Sequence, residues 1–197
     1  MRDKTKNKNI NKRETIRHDI IDKYIQYENM ISCLKKTKSS EVVISEIKQR
    51  HDNFLILREA LSHELAADIK IGIEVHKNNC DLFSTWIESS EFPNCHLMRF
   101  DTKGGAHKLT SPEVPLKDQM IETPHFHKFE KDGTFQVYRT KDCSFINNLD
   151  LGFPYFCQIS NTTSPNGNIP NVKIICGGEL KFQDQNNDDP NENISFA

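Results

Sequence analysis

The chain has 197 residues, with 26 Lys and Arg against 28 Asp and Glu for a net charge of −2, and only 36% of it is apolar. That length fits one domain with appendages and excludes two full domains. No apolar run approaches the roughly 18–20 residues of a membrane span, and the basic start lacks a secretory apolar stretch, so a cytoplasmic protein without a membrane partner is expected.

Residues 1–13 carry Arg2, Lys4, Lys6, Lys8, Lys12 and Arg13 against Asp3, and read as a basic flexible arm. Residues 14–34 place Ile16, Ile20, Tyr24, Tyr27, Ile31 and Leu34 at steps of three and four, the stripe of one amphipathic helix. Lys35, Lys36 and Lys38 follow it and suit the negative end of the helix dipole. Residues 41–49 are short and β-branched and fit either a helical turn or a strand. From residue 53 the period changes to two. Residues 54–57 read as an early strand, although residues 58–67 have a helical composition.

Ile69, Ile71, Ile73 and Val75 alternate with Lys70, Gly72, Glu74 and His76, the clearest strand signal in the chain. Residues 82–88 and 95–101 read as the next strands of an antiparallel meander, with turn chemistry between them. Residues 102–123 read as a long irregular loop, a length that is functional or mobile in compact domains. Strands at 124–129 and 134–140 are joined by Lys131-Asp132-Gly133, a hairpin turn. A short helix, interrupted near Pro154, is expected over 145–160 and a polar loop over 161–171. Strands at 172–176 and 179–182 flank Gly177-Gly178, a second hairpin turn.

Residues 181–197 carry Lys181 against Asp184, Asp188, Asp189 and Glu192, an acidic flexible tail. The apolar shortfall lies mostly in the two ends, which leaves residues 14–180 as a single α+β domain: an N-terminal helix packed on a mostly antiparallel sheet of five to seven strands. The tails offer phosphate binding by the basic arm, a contact with each other, or a partner.

Six cysteines without a C-x-x-C pair exclude a zinc ribbon and a thioredoxin motif. Free, mostly buried thiols in a reducing compartment are expected. Trp86 and Phe83 are read as core rather than as a base-stacking platform.

Four of the eight histidines, His96, His107, His125 and His127, fall within residues 96–127. His125 and His127 are two apart on an expected strand, so both imidazoles leave the same face, roughly 7 Å apart at the backbone. On the preceding strand Arg99 and Asp101 share one face while Met98 and Phe100 take the other. His107 sits on the Gly104-Gly105 loop between the two strands. Three readings of the histidine pair stay open: a solvated polar face, a metal site completed by Asp101 or Glu130, and a catalytic or phosphate-binding pair. Zinc or another divalent metal enters only in the second; otherwise no cofactor is called for.

The run Arg99-Phe100-Asp101, His107, Pro124-His125-Phe126-His127, Gly133 and an aromatic strand resembles the core of the TumE-like toxins of bacterial toxin–antitoxin pairs. It also resembles a related uncharacterised bacterial family with an Arg-x-Asp strand, a Pro-His loop, a Pro-His-x-His strand and a hairpin. The likeness spans residues 97–160 at most. Where the relatives have Pro-His in the loop, this chain has Ala106-His107. The resemblance implies a small cytoplasmic protein of bacterial conflict systems, a ribonuclease with Arg99, Asp101, His107, His125 and His127 as its functional set, a cognate antitoxin partner and RNA as substrate.

Metal-independent RNA cleavage is consistent with that set. One imidazole takes the ribose 2′-hydroxyl proton, another protonates the leaving 5′-oxygen, Arg99 stabilises the phosphate charge and Asp101 orients an imidazole. The alternatives are a non-enzymatic binding protein of a defence or counter-defence system and a His-ligated metal-binding β domain.

Overall fold

The computed structural model describes residues 16–45, 49–51, 53–104, 106–108, 120–146, 148–176 and 179–180. The expected basic arm and acidic tail lie outside the described residues.

Helices α1 (His18–Asp22) and α2 (Tyr24–Ser32) lead into strands β1 (Lys35–Lys36), β2 (Glu41–Ser45), β3 (Gln49–His51), β4 (Phe54–Ala60), β5 (Ile69–His76), β6 (Asn79–Ser89) and β7 (Met98–Asp101). Short strands β8 (His107–Lys108) and β9 (Met120–Ile121) precede the hairpin β10 (His125–Phe129) and β11 (Phe135–Tyr138). A 3-10 turn over Lys141–Phe145, helix α3 (Leu149–Ile159) and strands β12 (Thr162–Thr163), β13 (Asn171–Cys176) and β14 (Glu179–Leu180) complete the described chain.

Seven strands form the main sheet in the order β11-β10-β7-β6-β5-β4-β3, and every neighbouring pair in it is antiparallel. The class is α+β with a mostly antiparallel sheet. Sequence neighbours are spatial neighbours throughout, apart from the β8/β9 segment inserted between β7 and β10. The meander therefore places the strand of Arg99 and Asp101 directly beside the strand of His125 and His127. A smaller sheet, β14-β13-β2, pairs β13 with β2 in parallel and with β14 as the expected hairpin. The parallel pair β1 and β12 ties the end of α2 to the chain after α3.

The two faces of the main sheet differ because its strands alternate. On one face Leu55, Ile71, Ile73, Phe83, Ile87, Met98, Phe100 and Phe126 are buried in one core with Leu149, Phe153, Phe156 and Cys157 around α3. Gly152 is the point of closest approach, since a Cβ there would overlap the Phe83 ring. The other face carries the polar members of the same strands.

Several expectations change. The single helix over 14–34 is two, because Lys23 leaves helical geometry at φ −122° and ψ 27°. Ile20, Tyr27 and Met30 enter the core while Ile16 and Leu34 stay exposed. Residues 58–60 continue β4 in register with β5 despite their helical composition, since the sheet ladder satisfies their backbone and overrides propensity. Residues 41–45 are a strand, paired with β13. Helix α3 runs through Pro154 without interruption. Its N-cap Asn148 accepts a hydrogen bond from Leu151 N–H at 2.9 Å, and Phe153, Phe156 and Cys157 on either side of the proline are buried. Proline removes one backbone donor there, and the buried face holds the helix together. Among the described thiols, Cys143 and Cys157 are buried whereas Cys33, Cys80 and Cys95 are half-buried, so fewer of these five are fully buried than expected.

Helix α2 meets the site strands through Tyr27. Its hydroxyl donates to the Leu97 carbonyl at 2.6 Å and accepts from the Phe129 amide at 2.8 Å. Lys35 is buried and its ammonium donates to the carbonyls of Met30, Ile31 and Cys33, which satisfies the end of α2 as its position after the helix suggests. Among the described residues no helix is long and apolar enough to cross a membrane.

Candidate functional site

Alternation on β7 and β10 builds the site. Met98 and Phe100 turn into the core, where the Phe100 ring lies 4.6 Å from that of Phe126. Arg99, Asp101, His125 and His127 are thereby committed to the opposite face. Register places His125 across from Asp101 and His127 across from Arg99. Ser84 of β6 lies across from Asp101 on its other side.

The carboxylate of Asp101 bridges two cationic or potentially cationic partners. Its Oδ1 accepts from Arg99 Nε at 2.8 Å, and its Oδ2 lies 2.9 Å from His127 Nε2. Asp101, His125 and His127 are 4%, 1% and 5% exposed, so the solvated-face reading of the histidine pair does not hold. Only Arg99, with 37% of its side chain exposed, reaches the surface from this group. Burial pushes the Asp101 carboxyl up, but the close approach of His127, the Arg99 charge and the neighbouring Ser84 outweigh it and hold the group at about 2. The carboxylate is ionised at neutral pH.

Each imidazole is also positioned on a second side. The His125 and His127 rings meet edge to face at 4.6 Å. The His127 ring stacks on Phe135 at 5.0 Å and 24°. His125 Nδ1 is 3.2 Å from the Glu122 carbonyl; a carbonyl only accepts, so Nδ1 carries a proton and donates it there. Held this way, the rings can exchange protons with a bound group. They also match a metal-ligand set, since one ligand atom each from Asp101, His125 and His127 lie within 4.8 Å of one another.

Four of the five residues named from sequence, Arg99, Asp101, His125 and His127, are brought together. For His107 the backbone pairs with Ile121, on the strand that leads to Glu122 and β10, and its side chain lies outside the description. Glu130, the other carboxylate considered, ion-pairs with Lys128 at 3.4 Å instead. Ser84, Phe135 and the Glu122 carbonyl were missed. Only Ser84 had a usable signal: a meander with Asp101 on the next strand puts a residue of the 82–88 strand opposite it.

A second polar group adjoins this one on the same face. The Trp86 indole lies across Gly72, with the Arg58 guanidinium carbon 5.8 Å from the ring centroid and the His96 ring at 4.9 Å. Trp86 Nε1 donates to Glu88 at 2.8 Å, and the same carboxylate pairs with Arg58 at 3.3 Å. Trp86 is buried, but on the polar face and outside the core cluster that holds Phe83, so the expectation that both are core holds for Phe83 alone. Burial, reinforced by the Arg99, Arg58 and His127 charges and opposed by Asp101, drives the His96 imidazole down to about 4, so it is neutral at neutral pH.

Fold and site together define an α+β protein with a buried Asp–His–His cluster, reached by a half-exposed arginine, on the polar face of an antiparallel sheet. No family model matches the chain, and no curated protein or solved structure matches it either.

Proposed function

We propose that the Arg99, Asp101, His125 and His127 cluster cleaves RNA by metal-independent acid–base chemistry, as a toxin of a bacterial conflict system acting in the cytoplasm and restrained by a cognate antitoxin. The observation that carries this reading is the Asp101 carboxylate held between His127 Nε2 at 2.9 Å and Arg99 Nε at 2.8 Å. That is an orienting carboxylate, an imidazole and a phosphate-binding guanidinium in one row. The resemblance to the TumE-like toxins supports it through the same residues.

In the mechanism, His125 is the base. Its Nδ1–H is spent on the Glu122 carbonyl, so Nε2 accepts the 2′-hydroxyl proton. His127 is the acid and delivers a proton to the leaving 5′-oxygen, while Asp101 compensates the imidazolium charge and fixes the ring. Arg99 binds the phosphate as negative charge builds on it. The 2′-oxygen forms its bond to phosphorus as the bond to the 5′-oxygen breaks, giving a 2′,3′-cyclic phosphate and a free 5′-hydroxyl. The histidines are buried, so the phosphate reaches them beside Arg99.

A metal-bound form is the second reading, favoured by the 4.8 Å spread of the Asp101, His125 and His127 ligand atoms. Against it, Arg99 already brings a positive charge to the same carboxylate, where a divalent cation would meet repulsion. One experiment separates the two: RNA cleavage by the purified chain with and without EDTA, beside the His125→Ala/His127→Ala double variant and with metal content measured. Cleavage that survives EDTA and is lost in the variant supports the acid–base reading. Cleavage abolished by EDTA, with stoichiometric metal in the untreated protein, supports the metal site. Equal cleavage by wild type and variant, or none by either, sinks the ribonuclease.

A further inference from the structure

The polar face carries a straight row of residues that ends at the proposed acid. Register runs Arg58 to Gly72, Gly72 to Trp86, Trp86 to Arg99 and Arg99 to His127, one residue from each of five adjacent strands. At about 4.8 Å between strands the row spans roughly 19 Å. Glycine on β5 lets the Trp86 indole lie flat across that strand, which leaves a hollow above it. Its walls are Ile56, Arg58, Glu74, Trp86, His96 and Arg99 and its volume is ≈ 390 Å³. Arg99 therefore belongs to both places: it lines the hollow and holds Asp101.

The lining has a definite chemistry. Its floor is aromatic, and Trp86 is only 3% exposed, so the ring is a base plate and not a free stacking surface. Around it stand the guanidinium donors of Arg58 and Arg99, the Glu74 carboxylate, whose Oε1 pairs with Lys103 at 2.9 Å, and the neutral His96 imidazole, whose Nδ1 is turned towards Glu88. The charges of the walls are paired, Glu74 with Lys103 and the nearby Glu88 with Arg58 at 3.3 Å, so the lining is polar without a large net charge. A flat neutral heterocycle with donors and acceptors on its edge suits such walls, and the volume is at the small end for a ligand pocket. Arg99 stands at the end of the row nearest His127, where its guanidinium can meet an anionic group.

We infer that this hollow is a base-binding subsite, which takes the nucleobase next to the scissile phosphate while that phosphate lies against Arg99 and faces His127. The inference rests on the ribonuclease reading for its substrate class, and adds that cleavage depends on the base beside the bond.

Trp86 is the only tryptophan in the chain, so its fluorescence reports occupancy of the hollow without any cleavage. The full chain is titrated with the four nucleoside 3′-monophosphates, and with inorganic phosphate and ribose 5-phosphate as probes that lack a base. The expected result is a saturable change with at least one nucleotide, at a Kd about tenfold or more below that of either baseless probe. Arg58→Gln weakens that binding about tenfold; with 56% of the Arg58 side chain exposed, the replacement leaves the fold intact, as an unchanged circular dichroism melt verifies. His96→Ala does the same from the opposite wall. No saturable change with any nucleotide, baseless probes that bind as tightly, or nucleotide binding unaltered in Arg58→Gln would each overturn the subsite. Nucleotide binding that persists in a protein without RNase activity leaves the subsite standing and removes only the ribonuclease.

Discussion

Asp101 and His127 lie on neighbouring antiparallel strands, diagonal to each other in the register, with Oδ2 and Nε2 2.9 Å apart. The contact is buried and shares its carboxylate with Arg99, so it couples the stability of the sheet to the chemistry of the site. In the folded protein the Asp101 carboxyl titrates at about 2 against an ordinary 3.8. As pH falls the unfolded chain takes up this proton first. The stabilisation is therefore complete above about pH 4 and is lost as pH falls towards 2, a change of about 2 kcal/mol. Urea unfolding of wild type and Asp101→Asn at pH 5 and pH 2 checks this. The stability gap between them should shrink by about that amount at the lower pH, and a gap independent of pH would contradict the assignment.

The Tyr27 hydroxyl ties α2 to the chain at the start of β7 and to the end of β10, donating to Leu97 and accepting from Phe129. Tyr27→Phe keeps the ring packed on Phe92 and Phe129 and removes only the oxygen. It leaves a buried carbonyl and a buried amide without that partner, at a cost of about 1–3 kcal/mol. Denaturant unfolding measures the loss, and amide exchange at Phe129 should quicken with it. A loss no larger than about 0.5 kcal/mol, as for an ordinary surface change, would show that the bridge is not stabilising.

How far the site could be read from sequence depends on which contacts are local. Spacing of two on a strand was enough to put Arg99 with Asp101 and His125 with His127, and alternation through Ile69, Ile71, Ile73 and Val75 was enough to set the meander that joins their strands. Burial of the histidines was not legible, because it comes from tertiary packing: Phe135 closes on His127 only once the β10–β11 hairpin has formed. Residues 58–60 misled for a related reason, since their composition favours helix and only pairing with β5 makes them strand. The Arg58, Gly72, Trp86 and Arg99 row was invisible for want of register, as its members are far apart in sequence and meet only across strands. Ser84 falls between these cases, predictable in face but not in partner.

Gly152 marks where α3 sits closest to β6. A methyl group there would overlap the ring of Phe83, which is fully buried and has little room to turn away. Gly152→Ala raises helix propensity by up to about 1 kcal/mol but overpacks the core by about 1–3 kcal/mol. The net expectation is a lower Tm in thermal unfolding. The double variant Gly152→Ala/Phe83→Leu, which makes room, should recover part of the loss; a Tm unchanged or raised in the single variant would argue that α3 can lift from the sheet at no cost.

Gly72 does the corresponding work on the polar face, where Trp86 rests directly on its backbone. A Cβ at this position would intrude into the indole itself. In Gly72→Ala the ring has to rise from the sheet, away from the Glu88 oxygen that its Nε1 reaches at 2.8 Å and out of contact with Arg58 and His96. Two readouts follow from that displacement. Trp86 emission should move to longer wavelength as the ring meets water, and nucleotide titration should weaken because the floor of the hollow has shifted between Arg58 and Arg99. The Asp101–His127 contact lies two strands from Gly72, so the acid dependence of stability should stay as in wild type. Emission that does not move would mean that the sheet deforms at Gly72 instead, and then the titration and the pH dependence should change together.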